Sequence, residues 1–322
     1  MIPVPWEATT SYGGGASRAP EAVLRASHQV DLHDLDIEEP WKVPSALGTA
    51  HPELAEWNTR AKAAAQLVIA AATGAETDPA AVAEALTLVN SLSHRVDAWV
   101  EAECTRQLGL GKIACLLGGD HAVPLGAFRA AAAKWESFGV LHVDAHADLR
   151  RAYEGFERSH ASIMYNACEE IAGISRLVQV GIRDVCEQEI DYAAAAGERI
   201  QMFLDRDLAR RRFRGETWHA ICDDIVAALP GKVWVSFDID GLDPTLCPNT
   251  GTPVPGGLQF QEAIYLIRRV VESGRTIVGF DLNEVSPSED EADEWDANVG
   301  ARLLYKLIGF TLASQGRVAL RA

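Results

Sequence analysis

The stretch that decides the fold of this chain is Phe138-Gly-Val-Leu-His-Val-Asp144-Ala-His146-Ala-Asp148. Its first six residues form an apolar run, which predicts a buried strand. Asp144, His146 and Asp148 follow at alternate positions, and a period of two places their side chains on one side of an extended segment. Without a cation, three such groups at the end of a buried strand would repel one another or remain half-desolvated. The stretch therefore predicts a site for a divalent metal ion.

His142 lies in the same stretch, but within the body of the predicted strand. We interpret it as a core histidine, or as one that supports a ligand, rather than as a ligand itself. A lone Asp-x-His-x-Asp motif is also compatible with a solvated loop. The metal prediction therefore depends on the rest of the chain.

Two further apolar runs end in the same kinds of side chain. Ile113–Leu117 leads into Gly-Gly-Asp-His121, and Val233–Phe237 leads into Asp238-Ile-Asp240-Gly-Leu-Asp-Pro. Asp-Gly and Asp-Pro pairs usually mark turns, but three independent clusters at strand ends favour a metal site. The two imidazoles and four carboxylates concerned are those of His121, Asp144, His146, Asp148, Asp238 and Asp240. One metal ion seldom uses so many acidic groups, so two ions that share carboxylates fit better. Oxygen and nitrogen ligands favour manganese first, and nickel, cobalt, iron and zinc stay open.

Strand-like and helix-like segments alternate along most of the chain. Strands are predicted near 113–117, 138–143, 177–181, 233–237 and 276–281, and helices near 19–27, 55–72, 80–108, 127–135, 161–171, 187–195, 215–228, 259–273 and 296–313. Continuous apolar strands in this alternation predict a three-layer α/β/α fold with a central, mostly parallel sheet. Ligands in such folds gather at the carboxyl ends of the strands, where all three motifs lie.

The motifs extend from residue 118 to residue 284, so we expect a single domain over residues 1–322. Three consecutive glycines predict a loop over Thr9–Ala16, near the mouth of the site. Residues 32–54 are rich in Asp, Glu and Pro and predict an irregular surface segment.

The composition excludes several classes of function. A net charge of −17 and the lack of a basic stripe argue against nucleic acid as a partner. No apolar run approaches the roughly 18 residues of a membrane span. The six cysteines are scattered, with no Cys-x-x-Cys pair, which is typical of reduced thiols in a cytosolic protein. These features predict a cytoplasmic enzyme.

The three motifs together resemble the signature motifs of the ureohydrolases, the family of arginase, agmatinase, guanidinobutyrase and formiminoglutamase. The resemblance extends from about Pro3 to the C-terminus, with the motifs in the same order and at similar spacing. It implies an arginase-like fold, two metal ions per chain and a homo-oligomer, a trimer or a hexamer. One ion would be bound by His121, Asp144, Asp148 and Asp238, and the other by Asp144, His146, Asp238 and Asp240.

The resemblance also implies catalytic roles. Two metal ions lower the pKa of bound water, which would attack the guanidinium carbon of the substrate. Asp148 would carry the proton to the leaving amine, so that urea and a primary amine are released. Glu284 matches the family glutamate that holds the guanidinium, with a geometry suited to that fork. His160 matches a histidine that shuttles protons at the mouth of the site.

The substrate is more ambiguous than the reaction. The loop Asn249-Thr-Gly-Thr-Pro-Val-Pro-Gly-Gly257 resembles agmatinases, so hydrolysis of agmatine to putrescine and urea is the leading expectation. Cys186 stands where animal-type arginases carry a charged substrate contact, whereas the loop 152–162 resembles plant-type arginases. Arg150 resembles formiminoglutamases and would favour an acidic tail, unless it forms surface ion pairs with Glu154 or Glu157. The acidic run over 288–298 departs from agmatinases.

Alternative functions remain at this point. Within the family, arginase, guanidino-acid hydrolase and formiminoglutamase activities stay open. Outside it, the chain could be a catalytically silent regulatory homologue, although such proteins usually lose metal ligands. A deacetylase fits less well, because deacetylases place a different ligand set around a single zinc.

Overall fold

The computed structural model describes residues 1–10, 12–290 and 292–321. Ser11, Glu291 and Ala322 lie outside the described residues. The predicted loop over Thr9–Ala16 and the acidic run over 288–298 each contain one of these three positions.

Seven strands and ten helices are present in the described part of the chain. The strands are β1 (Ile2–Val4), β2 (Leu116–Gly118), β3 (Phe138–Val143), β4 (Ile174–Val180), β5 (Ile200–Phe203), β6 (Lys232–Asp238) and β7 (Thr276–Asn283). The helices are α1 (Ala19–Ala26), α2 (Leu54–Ala72), α3 (Pro79–Gly109), α4 (Leu125–Trp135), α5 (Ile163–Glu170), α6 (Glu187–Ala195), α7 (Asp205–Phe213), α8 (Trp218–Ala227), α9 (Phe260–Glu272) and α10 (Trp295–Ser314).

The strands form one sheet in the order β1-β2-β7-β6-β3-β4-β5. Every neighbouring pair is parallel, so the sheet is fully parallel where a mostly parallel one was predicted. Four adjacent strands in its centre, β2, β7, β6 and β3, carry the motif residues at their carboxyl ends. Side chains that are far apart in the sequence therefore converge at one edge.

Helices cover both faces of the sheet, as the continuous apolar strands predict. Neighbouring residues of β3 point to opposite sides, because side chains alternate along a strand. Leu141 packs with α1, α8, α9 and α10, whereas Val140 packs with residues of α2 to α6. The three-layer α/β/α prediction is confirmed.

Three elements were not predicted, and each has a weak sequence signal. β1 and β5 are the two edge strands, with three and four residues, and β1 contains Pro3, which a central strand would not tolerate. Helix α7 is rich in arginine and buries only Leu208, so it lacks the apolar stripe by which a helix is recognised.

The acidic segment over residues 32–54 is irregular, as predicted, apart from a single 3-10 turn at Pro40–Lys42 and the first residue of α2. Its backbone passes along the start of β1, where the N–H of Gly48 donates to the carbonyl of Met1 (2.8 Å). No helix in the described residues is long and apolar enough to cross a membrane.

Candidate metal centre

The side chains predicted to bind metal lie together at the carboxyl ends of β2, β3 and β6. His121 follows β2, Asp144 follows β3, and Asp238 ends β6. Nδ1 of His121 lies 3.0 Å from Oδ2 of Asp144, 3.4 Å from Oδ2 of Asp148 and 3.2 Å from Oδ2 of Asp238. All four side chains are buried. One nitrogen and three carboxylate oxygens thus surround a single small space.

A second cluster adjoins the first and shares Asp144 with it. Nδ1 of His146 lies 3.5 Å from Oδ1 of Asp144 and 3.1 Å from Oδ2 of Asp240. Asp144 turns Oδ2 toward the first cluster and Oδ1 toward the second, which is the arrangement that a bridging carboxylate requires. Asp238 turns its Oδ1 toward the N–H of Asp240, from which it accepts a hydrogen bond (2.9 Å).

The electrostatics of the carboxylates fit a cation. Burial raises the pKa of Asp148 well above its ordinary value, and the neighbouring charge of Asp144 raises it further. The pKa of Asp238 is raised in the same direction by burial and then by Asp240 and Asp144. Burial and the neighbouring carboxylates thus favour the protonated form of both groups. A divalent metal ion would replace those protons, and the oxygen and nitrogen donors suit such an ion.

Hydrogen bonds orient His121 as a ligand. Ser236 donates its hydroxyl proton to Oδ1 of Asp281 (2.7 Å), so toward His121 it can only accept. Nε2 of His121, 2.9 Å from that hydroxyl oxygen, is therefore the nitrogen that carries the proton. Nδ1 faces the three carboxylates, where its lone pair would be available to a bound metal ion.

His142 also contacts the centre, and its partners assign it a supporting role. The side-chain amide of Gln179 donates to the carbonyl of Ala147 (2.7 Å) and lies 2.9 Å from Nδ1 of His142. Since this NH2 group donates to Nδ1, Nε2 is protonated and donates to Oδ2 of Asp144 (2.8 Å). His142 could approach a metal only by giving up this bond, which fits the prediction that it supports a ligand.

Arg183 forms hydrogen bonds with the main chain of three loops next to the second cluster. Its guanidinium donates to the carbonyls of Asp240 (2.6 Å), Leu242 (3.1 Å), Gly181 (3.0 Å) and Val254 (3.0 and 3.1 Å). Five charge-assisted bonds to main-chain oxygens hold the segment of Asp240 rigidly against the agmatinase-like loop.

Two of the predicted catalytic residues adopt an unusual backbone conformation. Asp148 and Glu284 have φ angles of 53° and 60°, in the left-handed region that non-glycine residues rarely occupy. Such conformations persist where the surroundings enforce them, often at functional sites. Glu284 follows β7 directly, and its Oε1 accepts the N–H of His121 (2.9 Å).

Glu284 is buried and faces the motif residues. Burial, then the charges of Asp238 and Asp120, raise its pKa well above the ordinary value. The loop predicted to resemble agmatinases lies over it, because the hydroxyl of Thr250 donates to the carbonyl of Glu284 (2.9 Å). A buried carboxylate without a cationic partner is suited to a guanidinium group.

His160 lies beside the centre and contacts Thr9 from the beginning of the chain. The hydroxyl of Thr9 lies 3.3 Å from Nδ1 of His160 and accepts the N–H of the same residue (3.3 Å). Burial and then the charge of His146 lower the pKa of His160 to about 4. The imidazole is therefore neutral near pH 7.

Arg150 has a different acidic partner from those expected. Its Nε lies 3.7 Å from Oε2 of Glu189, and its guanidinium covers the ring of Tyr153 at 4.7 Å. Glu189 is buried and also accepts the N–H groups of Leu149 and Cys186 (3.0 Å each). This carboxylate comes from α6, whereas Glu157 lies 3.4 Å from Nε2 of His94.

The supporting residues Ser236, Asp281, Gln179, Arg183 and Thr9 were not given a role from the sequence. A signal was present for some of them. Asp281 and Gln179 are polar residues inside otherwise apolar strands, and buried polar groups need partners. Arg183 and Thr9 act through backbone geometry that the sequence does not reveal.

Comparison with known proteins agrees with this arrangement. Residues 1–309 match the family model described as "Arginase family". An N(1)-aminopropylagmatine ureohydrolase of Thermus thermophilus is 32% identical over 309 residues, which cover 96% of this chain and 88% of that protein. A guanidinobutyrase of Pseudomonas aeruginosa is 34% identical over 217 residues, which cover 65% of this chain and 64% of that protein.

A solved structure supports the fold independently. The agmatine ureohydrolase of Thermoplasma volcanium has a TM-score of 0.70 and 23% identity, with 96% of this chain and 88% of that chain covered. The family match spans nearly the whole chain, and the side chains predicted to bind metal meet at the carboxyl edge of the parallel sheet. The chain therefore belongs to the arginase family, whose members are ureohydrolases that act on guanidino compounds.

Proposed function

We propose that this chain hydrolyses the guanidino C–N bond of a small substrate that carries a cationic tail, with agmatine as the leading substrate. The observation that carries the proposal is the pair of adjoining clusters that share Asp144 beside the buried carboxylate of Glu284. The ligand sets are those given above for two metal ions, with Asp144 and Asp238 between them. Manganese is the proposed metal, because every donor is a carboxylate oxygen or an imidazole nitrogen.

The residues of the chain divide the reaction between them. Two bound metal ions would supply the Lewis acidity that makes water nucleophilic near neutral pH. Glu284 holds the planar guanidinium by charge-assisted hydrogen bonds. Asp148 takes the proton of the attacking water and passes it to the leaving nitrogen as the C–N bond breaks, which releases urea and a primary amine. His160, neutral and next to the centre, exchanges protons with solvent.

Two residues of opposite charge near the mouth of the site indicate which charge on the substrate tail is favoured. The side chain of Asp184 is 71% exposed, and its Oδ2 lies 3.9 Å from Nε2 of His146. Arg150 is 39% exposed, but Glu189 offsets its charge. An exposed acid close to the centre and a neutralised arginine favour a cationic tail over an acidic one.

Urea release after manganese loading tests the proposal across agmatine, N1-aminopropylagmatine, arginine, guanidinobutyrate, guanidinopropionate and guanidine, with formamide release measured for formiminoglutamate. We expect agmatine or its aminopropyl derivative to have the highest kcat/KM. Preferential turnover of guanidinobutyrate would overturn the cationic-tail proposal. A chain that binds two metal ions and releases no urea or formamide from any of them would favour the silent homologue.

Variants of residues near the mouth of the site distinguish a cationic from an acidic substrate tail. Asp184→Asn should raise KM for agmatine severalfold and leave guanidinobutyrate turnover unchanged or improved. Asp191→Asn, an exposed carboxylate in α6, is the matched control and should change neither. Equal effects of both variants would remove Asp184 from the substrate site.

We further propose that the chain forms one domain over residues 1–322 and assembles as a homo-oligomer, a trimer or a hexamer, in the cytoplasm. Size-exclusion chromatography with light scattering tests the oligomer, and limited proteolysis tests the single domain.

A further inference from the structure

A partly open cavity lies at the other end of the same strands from the metal centre. Its volume is about 430 Å³, within the range of small-molecule sites. Ala114 and Cys115 in its wall precede β2, whereas His121 follows that strand. The cavity therefore lies toward the amino ends of the strands and does not belong to the site already described.

The walls are mostly apolar and come from separate parts of the chain. Ile113, Phe280, Ile308 and Leu312 line it from the sheet and from α10. The irregular segment that includes residues 43–49 closes one side. Such a wall suits an apolar molecular body.

The charges in the wall favour an anion. Lys112 and Arg317 are exposed at its rim, and within the described residues neither forms an ion pair with a carboxylate. Glu103 is the acid in the wall, and Arg106 (2.7 and 2.8 Å) and Gln107 (2.8 Å) already bind its carboxylate. In a chain with a net charge of −17, two cations without partners at one cavity form a local positive field.

We infer that this cavity binds a small amphipathic carboxylate, with its apolar body in the cavity and its acid group toward Lys112 and Arg317. The oxygens of a carboxylate are attracted to both cations. This site is independent of the proposed reaction and does not depend on the substrate.

Calorimetric titration of the manganese-loaded full chain with octanoate tests the inference, with octylammonium as the probe of matched size and opposite charge. We expect saturable binding of one octanoate per chain, at least tenfold tighter than octylammonium. The double variant Lys112→Gln/Arg317→Gln should lose at least tenfold in octanoate affinity. Lys232→Gln/Arg214→Gln removes the same charge from exposed positions elsewhere and should stay within twofold of the wild type.

No saturable octanoate binding at millimolar concentration, equal binding of octylammonium, or equal losses in the two double variants would overturn the inference. Urea release is not the readout, so failure here is distinct from failure of the proposed function.

Discussion

Oδ1 of Asp281 accepts the hydroxyl proton of Ser236 at 2.7 Å. Because Ser236 donates this proton, its oxygen must accept a hydrogen bond from Nε2 of His121. Nδ1 of His121 then faces the carboxylates of the proposed metal site. The carboxylate acts on the proposed metal site through two hydrogen bonds and without touching it.

Ser236→Ala removes the hydroxyl that orients the ring of His121 and should preserve the fold. Affinity for the metal at the His121 cluster should fall about 10- to 100-fold, as is usual when a residue that orients a ligand is lost. Competition with a fluorescent chelator measures it. Ser93→Ala, which removes another buried hydroxyl in α3, is the control, and equal affinities in both variants would contradict the prediction.

Asp144→Ala and Asp240→Ala should differ in metal content. Asp144 belongs to both clusters and Asp240 to one, so the first variant should lose both metal ions and urea release, and the second one ion. Elemental analysis after dialysis counts them. Asp243→Ala, a neighbouring carboxylate outside the clusters, should keep both. Full metal content in Asp144→Ala would refute the assignment of the site.

Glu284→Gln should separate substrate binding from metal binding. The amide keeps an acceptor for the N–H of His121 but loses the charge that pairs with a guanidinium. Since a charge-assisted hydrogen bond contributes about 1.5–3 kcal/mol, kcat/KM should fall about tenfold to a hundredfold, with two metal ions retained. Steady-state kinetics with metal analysis measure both. Glu289→Gln, exposed in the same segment, should be neutral, and an unchanged kcat/KM in Glu284→Gln would exclude the role.

Glu7 should make the unfolding free energy depend on pH in the acid range. Burial alone would raise its pKa, but the hydrogen bond from Lys62 and the N–H groups of Ser17 and Gly15 lower it below 4.5. A lowered folded-state pKa means that the stabilisation is complete above the unfolded value and is lost as the pH falls through the folded value.

The difference in unfolding free energy between the wild type and Glu7→Gln should therefore be constant above about pH 5 and shrink below about pH 4.5. Urea titrations at several pH values measure it. Effects of the metal centre are common to both proteins and cancel. Glu21→Gln, an exposed glutamate of α1, should show no such trend, and a difference that grows on acidification would reverse the sign proposed for Glu7.

The sequence predicts the centre of the fold better than its borders. β3 begins and ends at the predicted residues 138 and 143, because its mostly apolar run is bounded by a change to side chains predicted to bind metal. β1 has only three residues and contains Pro3, and β5 buries only Ile200, so neither strand was predicted. Helix α7 was not predicted either, because its exposed surface carries arginines and needs no apolar residues.

The candidate site was likewise predicted only in part. Side chains such as Asp144 and His146 are recognisable by type and spacing, and the structure brings them together. Glu189 was not predicted as a neighbour of Arg150, because only the packing of α6 brings it near. Thr9 and His160, 151 residues apart in the sequence, are in contact for the same reason.

The first motif, over residues 118–121, is hydrogen-bonded to the beginning of the chain. Beyond β2, the N–H of Gly119 donates to the carbonyl of Val4 (2.9 Å), and the N–H of Asp120 to that of Trp6 (2.7 Å). The N–H of Glu284 donates to the carbonyl of Gly119 (2.8 Å). A Cβ at position 119 would overlap the backbone of Trp6.

During folding, residues near 4, 119 and 284 must therefore meet before His121 and Glu284 take their places. Contacts between such distant segments are costly in loop entropy and form slowly. We therefore expect the centre to assemble late in folding, so that metal uptake by a refolding chain should follow the pairing of β1 and β7 with β2.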